Sequence, residues 1–454
     1  MNNLKNKNIG ILGLGLTGIS AINFFKDNSK KMIVWDDIKK VRNNIALKDI
    51  EILNLNFSKN LKQIELLFVS PGIKPNHSII KLAKKYKINI IGDLDLFWQK
   101  ESKNNNTFIF ITGSNGKSTV TALIHHLLIS AKKQSIIGGN IGVPVLQLKS
   151  DIKPNIFVIE ASSFQLDVVK NIKPNMTILT NISPDHIDWH GSYEKYIIAK
   201  ENLFMNQDLN DIAIINIDNE EALKVCNRIS NRKVKPKIIK ISLKKKLKNT
   251  IYIEEGKVFD NLNNKNIFIS DVKDLTFLIG KHNIENILIS IASVKNLGVT
   301  NEEIKKYLPT FKGLSHRLEL IYKDSKLKVI NDSKSTNLVS CNAALNCFEN
   351  IIWIAGGIRK NEKFSYLKDN INSIKVAYFI GESADEFVNY FGDYFYCKNV
   401  TNLKNAVRDA MNFTKNIRYN STILFSPACS SYDQFLSYEQ RGNFFSDEIN
   451  KYLN

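Results

Sequence analysis

The segment Phe108–Ser130 constrains the fold of this chain more than any other. An apolar strand, Phe108–Ile111, runs into the glycine-rich loop Thr112–Thr119, and a helical pattern follows over Val120–Ser130. Strand, glycine-rich loop and helix are the context of a phosphate-binding loop, in which backbone N–H groups and the helix dipole face an anion. A tight turn before a helix is the alternative, and the Lys-Ser pair after the second glycine of the loop disfavours it.

Short apolar runs recur along the chain and predict three consecutive α/β units, over residues 1–97, 98–312 and 313–454. Ligands are expected at the carboxyl ends of the strands and between the domains. The runs interpreted as further buried strands are Ile9–Leu12, Met32–Trp35, Leu66–Val69, Ile88–Ile91, Phe157–Ile159, Met176–Thr180, Ile212–Ile217, Leu327–Ile330, Ile351–Ala355, Val376–Ile380 and Thr422–Ser426. A helix is predicted at Asn301–Leu308.

The net charge of +19 raises the question of a nucleic-acid partner. The excess comes from lysine spread along the chain, since only eight of the 63 basic residues are arginine, which is preferred for bidentate contacts to phosphates and bases. The densest basic run, Lys233–Lys248, is interpreted as a solvated loop or hairpin edge. The composition therefore disfavours nucleic acid and suits an anionic small substrate.

A cytoplasmic protein without membrane insertion is expected. No apolar run approaches the roughly 20 residues that cross a bilayer. The apolar stretch at the N-terminus is interrupted by Gly13–Gly15, and no signal-peptide cleavage pattern follows it. The five cysteines show no C-x-x-C pairing, which favours reduced, structural thiols over a zinc site or a disulfide framework.

Two further strand ends carry side chains suited to magnesium and phosphate chemistry. Glu160 ends the apolar run Ile156–Ile159, and a carboxylate placed there beside a phosphate loop can hold Mg²⁺. A solvated strand terminus is the alternative for Glu160. The segment Asn181–His190 follows the next strand and contains a D-H-x-D-x-H string that is rare by chance, although His186 alone would more often be a surface or core histidine.

The first unit carries a G-x-G-x-x-G string, Gly13–Gly18, directly after its first strand. Asp36 and Asp37 end the next strand about 20 residues later, as a dinucleotide-binding fingerprint requires. The fingerprint predicts a phosphorylated nucleotide without identifying it. An NAD-dependent dehydrogenase is therefore the main alternative from another functional class.

Together these strings resemble the Mur ligase family. The loop has the short G-[ST]-x-G-K-[ST] form of Mur ligases and folylpolyglutamate synthases, with Ile111 where the usual phosphate loop has its first glycine. The first unit carries the G-L-G-x-T-G string of the branch that adds D-glutamate, and no D-N-P-R string of the diaminopimelate-adding relative is present. The other matching strings are Glu160–Leu166, Asn181–His190, Gly280–Asn286, Gly313–Glu319, Asn331–Asn337, Ser426–Phe435 and Tyr438–Gly442.

The resemblance implies a Rossmann-like UDP-binding domain, a central ATPase-like domain with the phosphate loop, and a Rossmann-like C-terminal domain. The residues implied for ATP are Gly113, Ser114, Asn115, Gly116, Lys117, Ser118, Thr119, Asn283, Asn286, Arg317 and Asp332. The residues implied for metal or catalysis are Lys117, Ser118, Glu160, His186 and Lys200. Lys200 stands where the family carries a carbamylated lysine; pattern alone favours a helix-surface lysine there, but a desolvated lysine loses its proton more easily and can add CO₂.

The resemblance also implies two substrate-binding sets. The UDP-linked substrate is assigned to Leu16, Thr17, Asp36, Asp37, Gly72, Asn140, Ser162, Gln165 and His186. D-glutamate is assigned to Lys334, Thr336, Lys360, Ser431 and Tyr438. The chain departs from the family pattern at Arg359, where an acidic or small residue is common, and at Tyr438, where Phe is expected.

The implied reaction is an ATP-dependent amide ligation. The carboxylate of UDP-N-acetylmuramoyl-L-alanine attacks the γ-phosphate of ATP to give an acyl phosphate, and the amine of D-glutamate then displaces phosphate. Two Mg²⁺ ions would neutralise charge and align the groups. The implied partners are these small molecules alone, with the protein a monomer. A folylpolyglutamate synthase should lack the UDP-type first domain.

Overall fold

The computed structural model describes residues 4–43, 50–150, 154–244, 247–248, 250–263, 265–271, 280–359 and 362–453. The chain forms two compact units. The first comprises Met1–Asp274 with Glu285–Thr310, and the second comprises Leu275–Ile284 with Phe311–Asn454. Within the described residues, no helix is both long enough and apolar enough to cross a bilayer.

The first unit begins with a parallel five-stranded sheet in the order β3-β2-β1-β4-β5. This order places the ends of β1 and β4 side by side at the centre, where the loop after each can share a ligand. The strands are β1 Asn8–Leu12, β2 Lys31–Trp35, β3 Glu51–Ile52, β4 Leu66–Val69 and β5 Asn89–Ile91. The helices are α1 Leu16–Lys26, α2 Lys39–Asn43, α3 Ser58–Leu61, α4 Ser78–Lys85 and α5 Asp93–Glu101.

A second parallel sheet in the same unit has six strands in the order β11-β10-β9-β6-β8-β7. The strands are β6 Thr107–Thr112, β7 Ser135–Gly139, β8 Ile156–Glu160, β9 Met176–Leu179, β10 Ile212–Asn216 and β11 Lys237–Ile241. The helices are α6 Lys117–Ser130, α7 Ser163–Leu166, α8 Ile187–His190, α9 Tyr193–Glu201, α10 Glu220–Ser230, α11 Lys281–Lys295 and α12 Asn301–Tyr307, with 3-10 turns at Val145–Gln147, Asn202–Phe204 and Leu308–Thr310. The start of α11, up to Ile284, belongs to the second unit. Strand β6 lies between β8 and β9, so the phosphate loop after β6 is flanked by the loops that carry Glu160 and His186.

A small antiparallel sheet follows, made of β12 Ile251–Glu254, β13 Lys257–Asp260 and β14 Ile267–Asp271. The second unit is built on a six-stranded sheet in the order β15-β16-β20-β17-β18-β19, in which only the β15–β16 pair is antiparallel. Its strands are β15 Glu319–Lys323, β16 Leu327–Asn331, β17 Ile351–Gly356, β18 Ile374–Ile380, β19 Cys397–Thr401 and β20 Ser421–Phe425. Its helices are α13 Leu338–Leu345, α14 Ala384–Phe391, α15 Leu403–Lys415 and α16 Tyr438–Leu453, with a 3-10 segment at Phe364–Ser373.

Aromatic packing holds the helix α5 against the second sheet. The ring of Phe97 lies edge-on to Phe157 with centroids 5.1 Å apart and to Phe108 at 5.9 Å. Phe108 and Phe157, from neighbouring strands, stack at 5.4 Å. All three side chains are at most 1% exposed, so this cluster joins the chain segment that follows the first sheet to the sheet that carries the phosphate loop.

The α/β class and the predicted strands are confirmed, with shifts of one or two residues at their ends. The interpretation of Lys233–Lys248 is wrong in part, because Lys237–Ile241 pairs in parallel with β10 as the edge strand of the sheet. Strands β3, β7, β12, β13, β14, β15 and β19 were not anticipated. The domain boundaries near residues 97 and 312 stay a prediction.

We expect Phe157→Ala to destabilise the first unit by about 3–5 kcal/mol, the cost of truncating a buried phenylalanine. The measurement is native-state hydrogen exchange, with amides of β6 and β8 exchanging faster while those of β17 and β20 keep their protection. The matched control is Phe57→Ala, because Phe57 is 57% exposed. Equal loss of protection in both units would contradict this account of the core.

Candidate active site

The phosphate loop follows β6 and ends at the first turn of α6, as predicted. Gly116 precedes the helix with φ +81°, a conformation that favours glycine. A Cβ at Gly116 would lie 2.4 Å from Oδ1 of Asn286, so glycine lets the α11 side chain approach the loop. Asn286, predicted to face the adenine, therefore lies beside the loop, while Asn283 lies at the start of the same helix in the second unit.

Hydrogen bonds to the segment after β9 fix the conformation of the phosphate loop. The backbone N–H of Ser114 donates to the carbonyl of Asn181 at 2.8 Å, and that of Asn115 donates to the Asn181 side chain at 2.9 Å. Thr180 donates its hydroxyl to the Asn115 carbonyl at 2.6 Å. The Ser114 hydroxyl donates to the Ser183 carbonyl at 3.0 Å. The loop conformation is thus fixed by protein contacts, a preorganisation that suits anion binding.

Lys117 is the first residue of α6, and its Nζ donates to the carbonyls of Gly113 and Ser114, both at 2.9 Å. Ser118 and Thr119 follow in the first helical turn with side chains at most 9% exposed. The helix N-terminus, the cation of Lys117 and the two hydroxyls therefore occupy one small region. This is the arrangement that the sequence predicts for phosphate and magnesium.

Glu160 ends β8 and is only 2% exposed. Its Oε1 accepts a hydrogen bond from the Asn140 side chain at 2.7 Å. Its Oε2 is buried and has no hydrogen-bond partner among the described residues. A buried carboxylate oxygen without a partner is costly, so this atom suits a bound cation.

Lys200, on α9, lies beneath the phosphate loop rather than on the helix surface, with 2% exposure. Its Nζ donates to the carbonyl of Gly113 at 2.8 Å and lies 4.5 Å from the centroid of the Tyr196 ring. Burial, followed by repulsion from Lys117, lowers the pKa of Lys200 well below its usual range, while Asp185 and Glu160 oppose the shift. The surface interpretation of this lysine is therefore wrong.

His186 has φ +52° and begins the short helix α8. Its Nε2 lies 3.3 Å from Oδ2 of Asp185, and its ring lies 4.6 Å from the ring of Phe164. Across the described residues, no group of three or more His, Cys, Asp or Glu side chains is arranged as a metal site. The proposed metal ligands therefore stay a prediction. They would combine a carboxylate, an imidazole, a hydroxyl and an amine, from Glu160, His186, Ser118 and Lys200.

The loop after β1 is closed by Asp36, whose carboxylate accepts from the backbone N–H of Leu14 at 2.8 Å and of Ile38 at 2.9 Å. Gly18 lies so close to this loop that a Cβ there would be 2.0 Å from the Gly13 carbonyl oxygen. The Asp36 carboxylate therefore joins the loop after β1 to the segment after β2. The other predicted UDP contacts in this region surround the same strand ends: Leu16, exposed at 82%, half-buried Thr17, exposed Asp37 and exposed Gly72.

Ser162 and Gln165 form a capping box at the start of α7, with the Gln165 side chain accepting from both the N–H and the hydroxyl of Ser162 at 3.0 Å. Gln165 also donates to Asp93 of α5 at 2.8 Å. Burial raises the pKa of Asp93 to about 6. Two predicted substrate contacts, Ser162 and Gln165, are thereby joined to α5, the helix that follows the first sheet.

In the second unit, Asp332 follows β16 and is 7% exposed. Its carboxylate accepts from the Ser426 hydroxyl at 2.8 Å and from the Leu318 backbone N–H at 3.2 Å. Burial raises the pKa of Asp332 to about 7, while the charge of Arg317 acts in the opposite direction. The two residues predicted to contact ATP from this unit therefore lie close enough to interact.

Arg441, which has no predicted role, is hydrogen-bonded to the segments that carry the residues predicted for D-glutamate. It is 1% exposed and donates to the Ser333 hydroxyl at 3.1 Å and to the carbonyls of Ser333 and Cys429 at 2.9 and 3.0 Å. The Ser333 hydroxyl in turn donates to the Tyr438 carbonyl at 2.8 Å. Lys334 Nζ lies 3.7 Å from the centroid of the Tyr438 ring. Lys334 and Tyr438 are therefore brought together.

Ser431 is 2% exposed and its carbonyl accepts from the backbone N–H groups of Gln434 and Phe435, while Thr336 is half-buried. Arg359 pairs with Glu386 at 2.7 Å, so its side chain has a structural partner. The prediction for Lys360 lies outside the described residues.

Two further residues of the first unit were missed. Tyr196 donates to or accepts from the Ser114 hydroxyl at 2.7 Å and lies one helical turn before Lys200, a spacing that could have flagged it. His190 lies within the quoted D-H-x-D-x-H string with a side chain that is fully buried. Burial, followed by the charge of Lys200, lowers the pKa of His190 to about 4.

Comparison with known families gives two matches. The family model for the Mur ligase middle domain matches residues 111–294. The model for the N-terminal domain of MurD-like Mur ligases matches residues 7–92. These ranges contain the phosphate loop and the G-x-G-x-x-G loop.

Solved structures share the fold. The MurF ligase from Thermotoga maritima in complex with ADP superposes with a TM-score of 0.60 at 15% identity, covering 99% of this chain and 96% of that chain. The UDP-N-acetylmuramate–alanine ligase MurC from the same organism gives 0.57 at 18% identity, covering 98% and 100%.

Curated relatives are more similar in sequence. The UDP-N-acetylmuramoylalanine–D-glutamate ligase of Rickettsia prowazekii is 37% identical over 459 residues, covering 98% of both chains. The protein of the same name from Caulobacter vibrioides is 33% identical over 456 residues, covering 98% of this chain and 96% of that one. The chain therefore belongs to the UDP-N-acetylmuramoylalanine–D-glutamate ligase branch of the Mur ligase family.

Proposed function

We propose that this chain joins D-glutamate to UDP-N-acetylmuramoyl-L-alanine in an ATP-dependent reaction of cytoplasmic peptidoglycan precursor synthesis. The observation that carries the proposal is the group of lysine amines and acids around the phosphate loop. Lys117 and Lys200 both donate to the Gly113 carbonyl, and Glu160 lies buried at the end of the neighbouring strand. The names of the similar proteins supply the substrates.

The triphosphate of ATP would be held by backbone N–H groups at the N-terminus of α6, since those of Ser114 and Asn115 donate to Asn181. Lys117 would leave the carbonyls of Gly113 and Ser114 for the outer phosphates, where Arg317 would clamp the transferring group. When bound, Mg²⁺ would neutralise phosphate charge and orient the attacking carboxylate. Glu160, Ser118 and His186 are the residues proposed to hold it, and the partnerless Oε2 of Glu160 supports this. The other ATP contacts proposed are Asn283 and Asn286 for the adenine and Asp332 for the ribose.

Lys200 is proposed to carry a carbamate. The low pKa of Lys200 leaves the neutral amine available to add CO₂, with the released proton passing to solvent. The change would replace the repulsion between Lys200 and Lys117 by attraction. It would also supply a second anionic group near Glu160 for a second Mg²⁺.

D-glutamate is proposed to bind in the second unit. Its carboxylates would be held by Lys334, Thr336, Ser431 and the backbone at Tyr438, with Lys360 as a further contact. The buried Arg441 would position Tyr438 through Ser333. The part of the precursor beyond UDP would lie near Asn140, Ser162, Gln165 and His186. The UDP group would lie at Leu16, Thr17, Asp36, Asp37 and Gly72. We propose that the enzyme acts as a monomer.

The direct test is phosphate release from ATP with purified protein. Release is expected only when UDP-N-acetylmuramoyl-L-alanine and D-glutamate are both present, because the acyl phosphate needs a carboxylate donor and an amine acceptor. L-lysine and diaminopimelate serve as alternative acceptors. Release with one of them in place of D-glutamate would reassign the substrate.

Glu160→Gln should raise the Mg²⁺ concentration needed for half-maximal activity by about 10–100-fold, because the substitution removes one anionic oxygen from the proposed ligand set. The measurement is a magnesium titration of initial rates. Glu194→Gln is the matched control, since Glu194 is exposed on α9. An unchanged magnesium requirement in Glu160→Gln would exclude this carboxylate as a ligand.

Lys200→Met should lower kcat by at least about 100-fold, the scale of losing a key charged group in an active site. Supplying ¹³C-labelled bicarbonate should give a carbamate carbon signal in the wild type that is lost as pH falls, because carbamate formation uses the neutral amine and releases a proton. The exposed Lys195→Met is the control and should keep both signal and rate. A wild-type spectrum without the signal, at full activity, would remove the carbamate from the mechanism.

A further inference from the structure

A cavity of about 460 Å³ opens in the first unit beside the proposed substrate site. Its volume falls within the roughly 300–1,000 Å³ of small-molecule sites. One side is formed by residues between Val69 and Ile90, and the other by residues between Phe164 and Lys170 together with Trp189. None of the residues proposed for UDP or for the rest of that substrate lines it, although Pro71 lies next to Gly72.

The lining combines apolar surface with positive charge. Side chains such as Ile73, Val168 and Trp189 supply an apolar and aromatic wall. Lys84, Lys87 and Lys170 are exposed lysines of the lining, and Asp167 is its one acid. The charge of Lys84 acts on the Asp167 carboxyl, which shows that the two lie within electrostatic range. Asp167 offsets one of these charges and Asp95, which lies within electrostatic range of Lys170, offsets part of another, so the three lysines keep a net positive charge for an anion.

One polar atom of the wall lacks a partner. The Nε1 atom of Trp189 is buried and has no hydrogen-bond partner in the part of the chain that the structure describes. Buried indole N–H groups usually find an acceptor. Because this atom has almost no accessible surface, a ligand in the cavity would accept from it only after the Trp189 side chain moved.

We propose that this cavity binds a small amphiphilic anion, with an apolar or aromatic body against Trp189 and a single carboxylate or phosphate among Lys84, Lys87 and Lys170. The site is distinct from those proposed for ATP, the UDP-linked substrate and D-glutamate. Such a ligand would contact both the strand ends of the first sheet and the α7 region of the second.

A ligand in the cavity would affect the proposed active site through aromatic contacts. Phe164 lies in the cavity wall with its ring 4.6 Å from Trp189 and 4.6 Å from His186. A ligand that shifts Phe164 or Trp189 would therefore change the surroundings of His186. The expected consequence is a changed chemical shift of the His186 ring on binding, without direct contact.

The test is calorimetric titration of the full chain with 1-naphthyl phosphate and 2-naphthoate, using 2-naphthalenemethanol as the neutral analogue. Both anions should bind and the alcohol should bind more weakly. The triple variant Lys84→Gln, Lys87→Gln, Lys170→Gln should lose roughly tenfold in affinity for the anions and little for the alcohol. The matched control, Lys59→Gln, Lys81→Gln, Lys85→Gln, removes three exposed lysines outside the lining and should bind as the wild type does.

A cavity-filling variant and a competition with the proposed substrate test whether the anions bind in this cavity. Val168→Phe, which fills the cavity, should abolish anion binding, and an unchanged thermal unfolding midpoint would show that the fold is intact. Saturating UDP-N-acetylmuramoyl-L-alanine should leave binding unchanged; mutual exclusion would instead assign the cavity to the substrate site and overturn the proposal. Equal affinity in the two triple variants would also overturn it. Apart from the competition with UDP-N-acetylmuramoyl-L-alanine, these measurements need neither turnover nor the proposed substrate, so their results are independent of the proposed ligase activity.

Discussion

The amine of Lys200 is buried beneath the phosphate loop, and the arrangement around it governs the rest of the site. It shares the Gly113 carbonyl with Lys117, so two amines meet at one backbone oxygen. Burial and the charge of Lys117 lower the pKa of Lys200 well below its usual range, so a second cation is disfavoured there unless anions are close. Glu160 and Asp185 supply part of that balance. A triphosphate at the loop, and a carbamate on Lys200, would supply the remainder.

The topology explains why these groups meet. Strand β6 lies between β8 and β9. The phosphate loop follows β6, Glu160 ends β8, and His186 lies in the loop after β9. The helix α9 then returns Lys200 and Tyr196 to the loop from outside the sheet. The first sheet is connected to this arrangement through buried contacts, which include the hydrogen bond from Gln165 to Asp93. The parallel sheet thus brings the proposed site residues to one edge, and side-chain hydrogen bonds fix their positions.

Much of this could be predicted from sequence because strands and phosphate loops have local signatures. The apolar runs of β6, β8 and β9 and the glycines of the loop sufficed to place Lys117 and Glu160 at adjacent strand ends. The burial of Lys200 could not be derived from the pattern, since α9 carries polar residues on several sides and only the family resemblance singled out this lysine. Arg441 and His190 were missed because a buried charge or imidazole is defined by tertiary partners. Edge strand β11 was interpreted as part of a solvated loop or hairpin edge because Lys237 and Lys240 mask its buried apolar positions, Ile239 and Ile241.

The central claim is that the site directs the γ-phosphate of ATP onto a substrate carboxylate. The most direct measurement uses UDP-N-acetylmuramoyl-L-alanine labelled with ¹⁸O in its carboxylate, with mass analysis of the products. Transfer through an acyl phosphate predicts that one ¹⁸O atom appears in inorganic phosphate for each amide formed, with ADP unlabelled. Label in AMP, or amide formation without label in phosphate, would contradict the account.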